Sequence, residues 1–206
     1  MNYLLNNWPF VGTLLLQHLW LSVSALGIAT VIALPTGVLL ARMPRLRGPV
    51  LGFFGLLYTI PSLSLLVLLI PLLHLGYWPA VVTLVVYAQL VLVRNIVVGL
   101  TGIAPAVLEA AQGMGMSAWQ RLLLVELPLA LPLMLAGLRI ATLSTIAIAT
   151  VAALVNAGGL GTLLFDGVRS GNPEKIFVGA LAVAALAIGA NALLRQAELW
   201  ARRGWG

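Results

Sequence analysis

The sequence predicts an all-α membrane protein that crosses the bilayer five times, with a structured segment between its third and fourth crossings. Composition is the first reason. Of 206 residues 62% are hydrophobic and 8% charged, where a soluble domain carries about 25% charged residues. A soluble fold of this size cannot cover so apolar a surface. The second reason is run length. The uncharged stretches reach the ~20 residues that a spanning helix needs. Backbone groups in lipid must be satisfied within the segment, so these runs are helices. A barrel is excluded because no segment alternates apolar and polar residues over about ten positions.

Leu14 to Leu40 forms the first span, ended by Arg42-Met-Pro-Arg-Leu-Arg47. Gly12 to Ala41 is far longer than the ~7–15-residue apolar core of a signal peptide and has no basic start, so it is expected to be retained. Val50 to Leu73 is the second span. The charge-free run from Gly48 to Val93 holds two spans, divided by His74-Leu-Gly-Tyr-Trp-Pro79 with its turn formers and interfacial aromatics. The third span is Ala80 to Gly102, the fourth Leu133 to Val155 and the fifth Ile176 to Leu194, all within one domain of residues 1–206.

Basic residues in short loops set the orientation. Arg42, Arg45 and Arg47, then Arg121, then Arg195, Arg202 and Arg203 fall on one side of a five-span chain. That side is expected to be cytoplasmic and the N-terminus external. Trp8 and Trp78 suit the outer interface, Trp200 and Trp205 the inner one, while Trp20 fits neither. Cysteine is absent, and two histidines and five carboxylates are too scattered for a metal or acid/base cluster. The net charge of +6 does not point to nucleic acid, because the basic residues flank apolar runs and form no aromatic-interleaved patch.

The segment from 103 to 131 is too long for a plain connection. Pro105 suits a helix first turn, where its missing N–H costs nothing. Gly113 and Gly115 can end that helix in a left-handed conformation. Ser117-Ala-Trp-Gln120 fits a capping box that starts a second helix, and Pro128 and Pro132 restrict how it meets the fourth span. Two short helices joined at a glycine elbow, along the cytoplasmic face, are expected.

This segment, EAAQGMGMSAWQRLLLVELP from Glu109 to Pro128, resembles the EAA motif of ABC-importer permeases. Glu109, Ala110, Ala111, Gly115, Val125, Leu127 and Pro128 match its types and spacing, with Val125 where isoleucine is usual. The resemblance implies a coupling helix seated in a groove of a cytoplasmic ATPase subunit. Ala110 and Ala111 would permit close approach, Gly115 the elbow, and Ser117 the second helix start. Glu109 would fix the loop by capping or by pairing with a basic residue. An amphipathic interfacial helix with no partner is the plainer alternative.

Thr59-Ile-Pro-Ser-Leu-Ser-Leu-Leu66, Val93-Arg-Asn95, Gly137-Leu-Arg139 and Ala157-Gly-Gly-Leu-Gly161 further resemble the osmoprotectant permeases, which import glycine betaine, carnitine or choline. The fold implied is the five-span MetI-like permease core. Asn156, where glycine is common, and Asn191, where an acidic residue is frequent, depart from that subgroup. The partners implied are two ATPase subunits, a second permease copy or a paralogue, and an extracellular solute-binding protein. No Walker motif is present, so the chain is expected to bind no cofactor and to carry no catalytic residue. ATP and Mg belong to the ATPase.

Individual residues keep two readings each. Pro61 is either a static kink or a bend lining the path, with Ser62 and Ser64 able to satisfy the backbone it frees. Tyr58, one turn earlier, could meet a quaternary ammonium by cation–π contact or simply pack. Arg94 and Arg139 either snorkel or help orient the coupling segment, Arg94 opposite Glu109 or Glu126. Gln89 and Asn191 suit interhelical hydrogen bonds. Asn156, Gly158, Gly159 and Gly161 are either a flexible turn or an external gate or docking face. There Asp166, Arg169, Glu174 and Lys175 could make polar contacts or form a solvated loop. An importer of methionine, another amino acid or a related betaine is the runner-up function. An ion-coupled transporter or channel subunit is the alternative from another class, and it lacks the intramembrane charges and inverted repeat such proteins show.

Overall fold

A computed structural model describes residues 3 and 6–204, which are helical without a strand; Trp205 lies outside the described residues. Helix α1 runs Trp8–Arg42. At about 1.5 Å per residue, its 35 residues exceed the ~30 Å hydrocarbon layer, so it projects past it or tilts. It is apolar all round, so composition could not reveal its inner face. Packing does: Ala25, Ala29, Ala33 and Gly37 form a buried stripe of small residues at spacing four. Small side chains let α4 (Tyr77–Thr101) approach closely. A Cβ added to Gly37 would lie 2.5 Å from Ile96.

The second expected span is two helices, α2 (Pro44–Thr59) and α3 (Ser62–Leu73), bent by 92°. Proline explains the break. Pro61 offers no N–H and pushes the residue before it out of the helical region; Ile60 has ψ 128° and Pro61 ψ 131°. The carbonyl of Ile60 accepts a hydrogen bond from the hydroxyl of Tyr87 on α4. Tyr87, rather than Ser62 or Ser64, therefore supplies the polar partner at the break. The basic stretch from Arg42 to Arg47 is also not a loop, since Arg45 and Arg47 already lie in the first turn of α2. Met43 alone separates α1 from α2, and Arg47 folds back to donate to the carbonyls of Leu40 and Ala41.

Helix α4 lies at the centre, between α1 and α7 (Leu127–Ala152). Its contact with α7 again uses small residues. A Cβ on Gly137 would lie 2.5 Å from that of Asn95, and one on Gly99 would lie 3.1 Å from Ala130. Helix α5 (Pro105–Gly113) and the single-turn α6 (Ala118–Arg121) precede a π-helical turn, Leu122–Glu126. A 3₁₀ turn, Ala153–Val155, closes α7. Helix α8 (Gly161–Arg169) occupies what the sequence suggested was loop, and α9 (Pro173–Gly204) completes the chain. Among the described residues four helical elements, or five if the bent α2–α3 pair is one crossing, are long and apolar enough to span a membrane.

Three apolar clusters hold these helices. One joins α1, α4 and α7 around Ala33, Val93, Ile96 and Ala141. A second, around Leu21, Leu66, Leu84 and Ala152, adds α3. The third packs Val11 and Leu14 of α1 on Leu160, Leu163 of α8 and Val178 of α9. Helix α2 buries no residue and α3 only Leu65 and Leu66.

Candidate functional site

The elbow between α5 and α6 is built by two local motifs. Gly115, at φ +78°, adopts the left-handed conformation that glycine tolerates without a Cβ penalty. Its N–H bonds the carbonyl of Gln112 at 2.9 Å, and Met116 N–H bonds that of Ala111 at 3.2 Å. That pair of bonds is a Schellman closure of α5. Gly113 does not share the left-handed role and ends α5 in helical geometry. Two residues on, the Ser117 hydroxyl accepts from Gln120 N–H, and Gln120 Oε1 accepts from Ser117 N–H at 2.9 Å. This is the capping box the sequence suggested.

The capping box does not open a second short helix. Ala118–Val155 is one continuous apolar element of 38 residues. Pro128 would ordinarily collide with the carbonyl four residues back. The helix widens instead, with Leu127 N–H bonding the carbonyl of Leu122 five residues earlier. At about 57 Å by helical rise, this element is nearly twice the hydrocarbon thickness. The elbow thus sits on a lever continuous with the fourth span. Leu127 and Pro128 are half-buried at its base.

Glu109 and Ala110 are exposed on α5, whereas Ala111 is 2% exposed. Ala111 therefore packs inside the elbow, and only its neighbours present a face outward. Glu109 is not the carboxylate that fixes the segment. Glu126, 8% exposed, takes Arg121 Nε at 2.8 Å and Arg42 Nη2 at 3.1 Å. It ties the end of α1 to α6. Arg94 is exposed and lies in neither pair. Arg139 forms an ion pair with Glu198 of α9 at 3.3 Å, and Glu198 also accepts a hydrogen bond from Arg202 at 2.7 Å. Two buried carboxylates, each between two arginines, thus knit distant helices together. Sequence spacing showed only the i, i+4 pair of Glu198 and Arg202; the long-range partners Arg42 and Arg139 left no sign in it.

At the α2–α3 break, Tyr58 is 39% exposed and its ring packs on Tyr87 with centroids 5.4 Å apart. Pro61 and Ser64 are exposed and Ser62 is half-buried. The amide of Gln89 donates to the carbonyl of Ala29 at 3.2 Å, an interhelical bond of the kind expected.

The glycine stretch at the opposite end is held, not loose. Asn156 has φ +64°, which explains asparagine where glycine is common: both tolerate the left-handed region. Gly159 N–H donates to Gln17 Oε1 at 3.1 Å, and Leu160 N–H donates to His18 Nδ1 at 3.3 Å. His18 is fully buried, and its Nε2 stands 3.2 Å from the carbonyl of Ile146. Because Nδ1 accepts, the network assigns the proton to Nε2, which donates to Ile146. A Cβ on Gly161 would strike the carbonyl of Thr150. Gly76 N–H bonds Val155 O at 2.8 Å, joining the turn after α3 to the same structure. Gln17 and His18 carried no motif, and only their polarity within an apolar run marked them.

Comparison with known proteins places these features in context. Residues 33–202 match the family described as the inner membrane component of binding-protein-dependent transport systems. The chain is 41% identical over 203 residues to the osmoprotectant import permease protein OsmW of Salmonella typhimurium, covering 96% of this chain and 94% of that protein. It is 41% identical over 172 residues to the glycine betaine/carnitine/choline transport system permease protein OpuCB of Bacillus subtilis, covering 84% and 79%. Among solved structures, it resembles an inward-facing MetNI methionine ABC transporter with TM-score 0.79 and 24% identity, over 90% of this chain and 93% of that one. An amino acid ABC transporter crystallised with histidines matches with TM-score 0.74 and 18% identity, over 97% and 96%. The elbow, the helical fold of four or five apolar spans and the extent of these matches agree: the chain belongs to the inner-membrane permease components of binding-protein-dependent ABC transport systems.

Proposed function

We propose that this chain is the permease subunit of an ATP-driven importer for a small osmoprotectant, a quaternary ammonium compound such as glycine betaine, choline or carnitine. The observation that carries the solute class is the 41% identity, over nearly the whole length, to an osmoprotectant import permease. As a family member the chain is a non-catalytic membrane component that works with ATPase and binding-protein components. The likeness to the methionine and amino acid transporters is at 24% identity or below and speaks for the fold alone.

In this reading two copies, or this chain and a paralogue, enclose the path. Two ATPase subunits bind below, holding ATP and Mg, and a solute-binding protein docks outside. The exposed face of α5, with Glu109 and Ala110, sits in the ATPase groove. Gly115 and Ser117 set the elbow angle, Ala111 packs it, and Leu127 and Pro128 root it in the fourth span. The side that carries Arg42, Arg45, Arg47, Arg121 and the C-terminal arginines is the cytoplasmic one in this reading, with the N-terminus outside, and the preference of basic residues for the cytoplasmic side supports it. Closure of the ATPases on ATP pushes the elbow. The long Ala118–Val155 element carries the push into the membrane, and the Glu126 triad passes it to α1. Tyr58, Pro61, Ser62 and Ser64 line the path at the α2–α3 break. Asn156, Gly158, Gly159 and Gly161 form the external gate.

Reconstitution of the chain with its ATPase and binding protein in liposomes tests this. ATP-dependent accumulation of glycine betaine or choline, absent without the binding protein, is the expected result. Accumulation of methionine with none of a quaternary ammonium solute contradicts it.

A further inference from the structure

A cavity of about 300 Å³ opens beside the glycine loop, at the small end of the range for small-molecule sites. Asn156 and Gly158 line it from the loop, and Thr162, Phe165, Asp166 and Arg169 from α8. Those four α8 residues are spaced i, i+3, i+4, i+7, so the helix presents them as one stripe. Packing sets which way the stripe points. Leu163 and Gly167 on the other side are buried, and a Cβ on Gly167 would lie 2.7 Å from Ile176. The loop wall is equally fixed, through Gln17 and His18. Among the described residues neither the Asp166 carboxylate nor the Arg169 guanidinium has a partner. The cavity thus sets an aromatic ring and an unspent carboxylate beside an unspent guanidinium.

We propose that this cavity is a solute site for a compact zwitterion bearing a quaternary ammonium at one end and a carboxylate at the other; this rests on the osmoprotectant reading above. A quaternary ammonium has no N–H to donate. It is recognised by an aromatic face and a negative charge, which Phe165 and Asp166 supply. A carboxylate is matched by the forked donors of Arg169. Thr162 and Asn156 add neutral donors on the rim. A protein occupant fits less well, because a stable interface needs about 800 Å² from each partner and this hollow is small and concave. Lying beside the gate loop, the site receives solute before it enters the spans.

The test is calorimetric binding to the purified permease–ATPase complex in nanodiscs, without binding protein, run beside uptake in liposomes. Glycine betaine binds; tert-butylacetate, the same shape with carbon in place of the charged nitrogen, does not. Phe165→Leu and Asp166→Asn each weaken glycine betaine by about fivefold or more. Arg169→Gln weakens it by about tenfold and leaves choline, which lacks the carboxylate, unchanged. The site is overturned if the wild-type complex imports glycine betaine yet does not bind it. It is also overturned if Arg169→Gln affects betaine and choline alike, or if the variants alter only the binding protein's stimulation of ATP hydrolysis. A wild-type complex that imports no quaternary ammonium solute defeats the osmoprotectant reading instead.

Discussion

Arg42, the last residue of α1, reaches across 84 positions of sequence to bond Glu126 at 3.1 Å. Arg121 holds the other oxygen of the same carboxylate at 2.8 Å. The end of the first span, the single turn of α6 and the π-helical turn are therefore tied together at one carboxylate. Glu126→Gln keeps the shape and removes the charge. With both arginines partly in solvent, the expected cost is at the low end of the roughly 1.5–3 kcal/mol range for hydrogen bonds to charged groups. The expected phenotype is an assembled transporter that hydrolyses ATP but moves less solute per ATP. Simultaneous assay of phosphate release and uptake reads this ratio; an unchanged ratio removes the triad from the transmission path.

Gly161 has no space for a methyl group. Its Cβ would meet the Thr150 carbonyl, which is backbone and cannot swing aside. Gly161→Ala is expected to cost at least the roughly 1–3 kcal/mol of an overpacked core, lowering the thermal unfolding temperature of the purified complex by several degrees. Gly48→Ala, in helix α2 with nothing within 4 Å, serves as the control and should leave that temperature unchanged or slightly raised.

Gly115 is limited by backbone conformation and not by space, since nothing lies within 4 Å of its Cβ position. Gly115→Ala should cost roughly 1–2 kcal/mol and Gly115→Asn less, because asparagine tolerates the left-handed region. Affinity for the ATPase subunit in a pull-down titration should fall in the order Gly, Asn, Ala. Equal affinities would show that the elbow geometry does not govern docking.

His18 satisfies two buried backbone groups at once, Leu160 N–H and the Ile146 carbonyl. His18→Leu leaves the Leu160 N–H without a partner, at about 1–3 kcal/mol, while the Ile146 carbonyl keeps the Thr150 hydroxyl. Hydrogen exchange at Leu160, followed by mass spectrometry, should speed up in the variant while exchange in the α5–α6 elbow stays as in the wild type. Unchanged protection at Leu160 would show that the loop holds without the histidine.

Much of this structure was legible because its causes are local. The capping box at Ser117 and Gln120 and the left-handed Gly115 each depend on residues within a few positions, so spacing alone revealed them. Pro61 announced a break, but its 92° size depends on α4, whose Tyr87 satisfies the freed carbonyl of Ile60. The glutamate at 109 carried the motif, whereas the glutamate that bonds is at 126. Pairing partners 84 residues apart leave no trace in spacing. The buried face of α1 was hidden for a different reason: a helix that is apolar all round has no amphipathic stripe to read. Helix α8 was missed because nine residues between glycines read as a connection, although the i, i+3, i+4, i+7 pattern of Thr162, Phe165, Asp166 and Arg169 was present.

The central claim is that the elbow faces the cytoplasm and grips the ATPase. Met114, 70% exposed at its tip, is the position to probe, and the chain has no cysteine to interfere. Met114→Cys in whole cells should resist a membrane-impermeant maleimide added outside. In inverted vesicles it should cross-link to the ATPase subunit, with a yield that changes when ATP is added. Labelling from the outside, or no cross-link to the ATPase in vesicles that still transport, would contradict the account.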